Sequence, residues 1–194
     1  MTQVFGLQFT SLKDASPDGT TAGRDDSIPF TFWPGPTTRL AMGFVTQILI
    51  AVSPAAEMVP TAKVRAVPGM GLEGDRYFFG IGTFSPKPQR ADFEVTLIEE
   101  ENVQAFASAS GHPFTASQAR RNIVTQGVLL NELVGKEFYV GAVRIRGIRL
   151  CEPCSHLAKI SFPETLKGLV HKAGLRAQIL SEGHICVGDL IRIA

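Results

Sequence analysis

Residues 67–80 read VPGMGLEGDRYFFG, and the spacing Gly69-x-Gly71-x-x-Gly74 matches the loop that cradles a dinucleotide pyrophosphate at the start of a Rossmann helix. The residues after Gly74 decide between two folds. The dinucleotide loop needs a strand before it, a helix after it whose first turn faces the phosphates, and an acidic residue about 20 positions further on. Glu94 stands near that distance, but the intervening DRYFFGIGTFSPKPQRAD carries Gly80, Gly82, Pro86 and Pro88. Glycine weakens a helix and proline interrupts it, so no crossover helix forms here and the dinucleotide reading fails. The three glycines then mark either a plain tight turn or a loop that faces a ligand. In the second case Arg76, oriented by Asp75, offers a planar fork suited to a phosphate or the edge of a pterin.

Outward from this loop the chain consists of short runs separated by Gly and Pro: FVTQILIAV, AKVRAV, EVTLI, NIVTQG, EFYVG, AVRIRGIRL, LRAQIL, HICVG and LIRIA. Most alternate or are β-branched, which predicts strands. Many short strands with frequent turns predict a barrel or sandwich, mostly β with a few short helices, rather than a parallel α/β sheet. One helix is expected over Glu99 to Ser108, where Glu99, Glu100 and Glu101 favour the N-terminal dipole. A second is expected after the capping-box spacing Ser161/Glu164, with Phe162, Leu166, Leu169, Val170 and Ala173 on one face and Gly174 as the stop, covering one mouth of the β-structure. Residues 1–42 mix turn formers (KDASPDGTTAGRDDS) with FTFWPGP. They predict an irregular or partly disordered lead-in to a domain over 43–194.

A chain of 194 residues with 44% hydrophobic and 19% charged residues can bury one core without staples. The formal net charge of +1 and the lack of any Lys/Arg run argue against a nucleic-acid partner, so an anionic partner is expected to be small. Three cysteines, two of them in one motif, do not form a secreted disulfide framework and predict a cytoplasmic protein. AMGFVTQILIAV is too short and too interrupted to span a bilayer, and no charged segment followed by an apolar one predicts a secretory signal.

The most chemical stretch is RIRGIRLCEPCSHLAKI, residues 144–160. Covalent haem attachment is excluded because Ser155 separates Cys154 from His156. A thioredoxin-like pair would open a helix in a βαβ unit, which the surrounding strands and Glu152-Pro153 do not suggest. A zinc site would combine Cys151 and Cys154 with His184 and Cys186. The remaining reading is a reactive thiol or metal ligand at Cys154, with Arg144, Arg146, Arg149, His156 and Lys159 available to favour a thiolate, which suits thiophilic metals. Its alternative is a buried, inert cysteine. Upstream, Arg120, Arg121 and Asn122 gather several donors, fit either for a phosphate or heterocycle edge or for a solvated basic pair.

In order, ILIAVSPAAEMVP, GLEGDRYF, VTLIEEENV, ARRNIVTQGVLLNELVGKEFYVG, CEPCSHL and GLRAQILSEGHICVGDLIRI resemble the MOSC family, the domain at the C-terminus of molybdenum-cofactor sulfurases. The resemblance runs from about Gly43 to the end of the chain. It implies a MOSC-type β-barrel and a cysteine, Cys154 after Pro153, that either coordinates molybdenum or carries sulfur as a persulfide. It also implies that Gly74, Asp75 and Arg76, with Arg120, Arg121 and Asn122, contact a molybdenum–pterin cofactor. The activity it suggests is reduction of N-hydroxylated small molecules, with electrons from a separate donor protein. The alternatives are a persulfide carrier charged by a cysteine desulfurase partner, and a cofactor binding or storage module without turnover. No pyridoxal phosphate site is expected, because the chain is too short to contain the desulfurase domain. Tyr77 stands where many relatives have His, HKAG replaces a more glycine-rich approach to the final hairpin, and Cys151 adds a thiol able to form a disulfide with Cys154 under oxidation.

Overall fold

The computed structural model describes residues 43–194; the expectation of an irregular lead-in over 1–42 falls outside the described residues. The strands are β1 (Gly43–Ile50), β2 (Val59–Thr61), β3 (Lys63–Val67), β4 (Gly71–Leu72), β5 (Val95–Glu99), β6 (Ile123–Gln126), β7 (Glu137–Val140), β8 (Val143–Leu150), β9 (Leu175–Ile179), β10 (Gly183–Cys186) and β11 (Leu190–Ile193). Among the described residues four α-helices join them: α1 (Glu100–Ser110), α2 (Ala116–Ala119), α3 (Ser155–Ile160) and α4 (Thr165–Gly168). The nine predicted strands all form, and the two short ones, β2 and β4, lie in segments with no alternation to announce them.

The main sheet runs β11-β7-β8-β9-β5-β6-β1, with β2 added beside β1, and it closes into a seven-strand barrel because β1 also pairs with β11. Neighbours are antiparallel except β5 and β6, which run parallel in the register Leu97↔Ile123 to Glu99↔Thr125. A parallel pair needs a crossover, and α1 with α2 supplies it. The smaller sheet, β10-β3-β4, contributes Val64, Ala66, Leu72 and Ile185 to the barrel core.

Two cores explain the sequence pattern. Inside the barrel lie Val45, Ile48, Leu97, Ile123, Phe138, Ile145, Leu175 and Ile191. Outside it, under the helices, a second core gathers Leu49, Ile98, Val124, Val103, Phe106, Phe114, Leu157 and Leu169. Adjacent residues Ile48/Leu49, Leu97/Ile98 and Ile123/Val124 therefore enter different cores, which is why β1, β5 and β6 read as continuous apolar runs. On β8, by contrast, Val143 and Ile145 are buried while Arg144 and Arg146 are exposed, the alternation of a strand with one wet face.

The first helix forms as expected, ending at Gly111 with φ 70°. The second does not. Ser161 closes α3 instead, its hydroxyl donating to the Leu157 carbonyl at 2.7 Å and its N–H to the same oxygen at 3.0 Å, and the next helix opens at Glu164 with no side-chain cap. Only the short α4 results. Gly168 lies against the Phe106 ring, His171 leaves helical space at φ 57°, and Leu166 and Val170 stay exposed. A capping box does form at Thr115 and Gln118, opening α2. Among the described residues no helix is long and apolar enough to cross a membrane.

Among the described residues two glutamates are buried. Glu94 Oε2 accepts the Ile179 N–H at 2.9 Å and Glu99 Oε1 accepts the Leu130 N–H at 3.0 Å, yet burial outweighs these bonds and raises both carboxyls above the usual glutamate range. A carboxyl raised in the folded state binds its proton more tightly there, so stability falls as pH climbs from the ordinary glutamate value through the raised one. Thermal unfolding across pH checks this: Glu99→Gln is expected to melt above the wild type at pH 7–8, with the gap shrinking below about pH 4.

Candidate functional site

The glycine stretch is a loop that turns left-handed three times, at Gly69 (φ 75°), Gly71 (φ 116°) and Gly74 (φ 87°). Gly71 must be glycine for a second reason, since a Cβ there would sit 2.7 Å from the Glu94 carbonyl oxygen. Glu94 is thus a clasp between the loop and β9 rather than a ribose ligand. Turns continue where the dinucleotide motif would need a helix.

The loop delivers Asp75 into the interior, 2% exposed. Its Oδ1 accepts the Tyr77 N–H at 3.0 Å; its Oδ2 accepts the Ala51 N–H and Arg76 Nη1, both at 3.1 Å, and Asn122 Nδ2 at 3.2 Å. Arg76 is also buried, with Nη1 against Met58 Sδ at 3.2 Å and its guanidinium 5.0 Å from the Tyr77 ring centre.

Arg120, Arg121 and Asn122 leave α2 for β6, with Arg120 itself left-handed at φ 57°. Their roles divide. Asn122 donates to Asp75 and to the Leu49 carbonyl and accepts the Thr96 hydroxyl at 2.8 Å. Arg121 donates to the carbonyls of Ala173, Ala119 and Cys151, tying β6 to the segments that flank the cysteine motif. Arg120 holds the carbonyls of Ala56 and Pro54. Burial first, and the Arg76 charge second, pull its guanidinium below the ordinary arginine value.

Cys151 follows β8 and is buried; Cys154 is half-buried and stands at the N-cap of α3. The motif therefore does open a helix, which the sequence reading did not expect. It is still no thioredoxin unit, because β8 and β9 are antiparallel. Cys151, Cys154 and Cys186 are all free thiols. Cys186 and His184 belong to β10 in the smaller sheet, and among the described residues no three His, Cys, Asp or Glu side chains gather as a metal cage, so the zinc combination has no support.

A cavity of about 60 Å³ brings the expected residues together: Arg76, Arg120, Arg121, Asn122 and Cys154 all line it. Gly74 and Asp75 are not on its surface; they act from behind, through Arg76 and Asn122. The sequence reading missed Arg176, Phe84 and Phe93 in this wall. Arg176 sits 4.5 Å over the Phe93 ring, and Phe84 meets His156 edge-on at 5.5 Å. In sequence Arg176 is simply the outward position between Leu175 and Ala177, with no signal that distinguishes it from other arginines on strands. Among the described residues the one lining carboxylate, Glu152, turns to His171, accepting its N–H at 2.9 Å and meeting ring Nδ1 at 2.6 Å. The cavity thus joins two thiols, Cys151 and Cys154, to four guanidinium groups, a donor set that fits a thiophilic metal carrying a phosphorylated group.

The family model described as the MOSC domain matches residues 74–192, from Gly74 of the loop to Arg192 on β11. The chain belongs to the MOSC domain family. That family is associated with the molybdenum cofactor. Solved MOSC-family structures share the barrel. The YuaD protein from Bacillus subtilis superposes with a TM-score of 0.65 at 16% identity, covering 79% of this chain and 95% of that one. YiiM from Geobacillus stearothermophilus gives 0.61 at 18% identity, covering 78% and 75%, and YiiM from Escherichia coli 0.54 at 18%, covering 77% and 70%. No curated protein matches this MOSC chain in sequence.

Removing Asp75 leaves the Arg76 charge buried and unpaired, so Asp75→Ala is expected to cost about 3–5 kcal/mol in denaturant unfolding. In the loop that carries it, Gly69 has open space for a Cβ and Gly71 has none. Gly71→Ala is therefore expected to lose more stability than Gly69→Ala, which loses about 1–2 kcal/mol to its left-handed backbone alone; equal melting shifts would contradict this account of the loop.

Proposed function

We propose that this MOSC protein works with the molybdenum–pterin cofactor as a reductase of N-hydroxylated small molecules. The observation that carries the reading is the Cys154 thiol in one cavity with Arg76, Arg120, Arg121 and Arg176. In this reading Cys154 holds the metal through its thiolate, while Arg76 and Arg120 hold the pterin phosphate. When bound, the metal centre supplies two-electron redox chemistry. The overall reaction takes an N–OH group, two electrons and two protons to N–H and water, with the electrons coming from a separate donor protein.

The chain's own contribution is position and charge. Pro153 restricts the backbone just before Cys154, which stands in extended conformation at the N-cap of α3. Asp75 orients Arg76, and Arg121 braces the cysteine segment through the Cys151 carbonyl. Phe84, Ile160 and Leu157 line the same cavity and limit water around the thiol.

A second reading is favoured by Cys151 lining the cavity with Cys154. Cys154 then carries a persulfide received from a cysteine desulfurase, with Cys151 able to take part in thiol exchange. Metal and pterin analysis of protein purified from cofactor-producing cells separates the two. Wild type is expected to hold molybdenum, Cys154→Ser to lose it, and Arg120→Met to lose about tenfold or more of the pterin through a charge-assisted phosphate contact. Molybdenum absent from the wild type, with sulfane sulfur on Cys154, would replace the reductase by the carrier. Metal retained without reduction of an N-hydroxylated substrate under any electron donor would leave a storage module.

A further inference from the structure

The outer face of a surface helix is ordinarily charged. The last two turns of α1, residues 104–110, read QAFASAS and carry no charge, although Ala105 and Ala109 are exposed. The segment from α4 to Lys172 lies beside this face and runs antiparallel to α1. Glu164 meets His112, just past the end of α1, at 3.1 Å, and Gly168 rests against the Phe106 ring further back. Asn131 donates to the His171 carbonyl at 2.9 Å, next to the Leu130 that donates to Glu99 at the start of α1. A Cβ at Gly168 would stand 2.5 Å from the Phe106 ring, so glycine is what lets the two segments approach this closely.

Between them lies a groove of about 370 Å³, within the range of small-molecule sites. Ala105, Phe106, Ala109 and Gly168 give it an apolar floor, and from Asn102 to Ser110 it follows α1 for about 12 Å. Its cations and acids are in different states. Lys172 stands toward Asn102 with Lys167 beside it, and among the described residues neither side chain is engaged in an ion pair. The acids nearby are occupied: Glu164 with His112, Glu101 with the Gly127 N–H at 2.8 Å, and Glu100 with Gln104 at 3.5 Å. Ser110 Oγ likewise accepts the His112 N–H at 3.3 Å.

We infer that this groove binds a small carboxylate with a linear apolar body, its head between Lys167 and Lys172 and its body over Phe106 toward Ser110. The two ammonium groups supply the charge that the head needs, and the small side chains leave depth for a chain. An anion without an apolar body would gain little from a lysine pair so open to solvent. The groove shares no lining residue with the cavity at Cys154, so its ligand is independent of the chemistry proposed there.

Saturation-transfer NMR of the full-length protein with octanoate, and separately with octanol as the uncharged counterpart, tests the site. Octanoate is expected to bind saturably at about 0.1–5 mM, as suits a ligand of its size, and octanol about fivefold or more weakly. Reversing both charges, with Lys167→Glu and Lys172→Glu together, is expected to weaken octanoate about tenfold and leave octanol unchanged. Lys63→Glu, on the smaller sheet, is expected to change neither. Ala109→Trp fills the groove from an exposed position and is expected to abolish binding of both with the melting temperature unchanged. Absence of saturable octanoate binding, or equal binding by the wild type and the charge-reversed protein, overturns the inference. So does a dimer, seen by light scattering, that dissociates in Ala109→Trp, which would give the groove to a second copy of this chain.

Discussion

The buried Asp75 carboxylate is the constraint on which this site depends. A charge taken out of water is tolerated only where donors replace the lost hydration, and Asp75 has four, from Ala51, Arg76, Tyr77 and Asn122. They come from three stretches: the residue after β1, the loop itself, and the entry to β6. Satisfying one carboxylate therefore fixes the mutual positions of those stretches. Arg76 is held at the cavity because its partner can be nowhere else, and the glycines are needed because the chain must fold sharply against Glu94 to reach that point.

Asp75 also shows why residue type alone misassigns roles. Arg120, Arg121 and Asn122 look equivalent in sequence, as three donors in a row. Arg121 is taken by carbonyls at Ala173, Ala119 and Cys151, two of them remote in sequence, and Asn122 by Asp75, Leu49 and Thr96. Both line the cavity but are largely occupied in holding its wall together, which leaves Arg76, Arg176 and the N–H groups that Arg120 does not give to the Ala56 and Pro54 carbonyls as the donors better placed to meet a ligand.

Most of the barrel is legible because strand periodicity is local: FYV and VRIRG alternate, and the continuous runs ILI, VTLI and NIV mark strands covered on both faces. Helix ends are less legible, because a capping residue can be claimed by either neighbour. The Ser161/Glu164 spacing is correct for a capping box, yet the serine finishes α3, whereas Thr115/Gln118 is left free to make the box. The same limit hid α3, too short for periodicity to show. The meeting of Gly74-Asp75-Arg76, Arg120-Asn122 and Pro153-Cys154 was legible only through the order of motifs, since nothing in spacing says that three separated segments converge.

A net charge of +1 gives no hint of a cationic pocket, because that figure is a difference between 19 basic and 18 acidic residues. Where the acids stand decides the field. Asp92 binds Arg149 and Arg90, Glu137 binds Arg146 and Arg144, and Glu182 with Glu73 binds Arg65. Those acids cancel arginines elsewhere on the molecule, and Glu152 is turned to His171. Among the described residues the one ion pair made by the guanidinium groups around Cys154 is that of Arg76 with Asp75, itself shared with Asn122 and two backbone N–H groups. The excess positive charge is therefore local and enclosed, where solvent screens it less than at an open surface. Such a field selects a small anion that can enter the cleft.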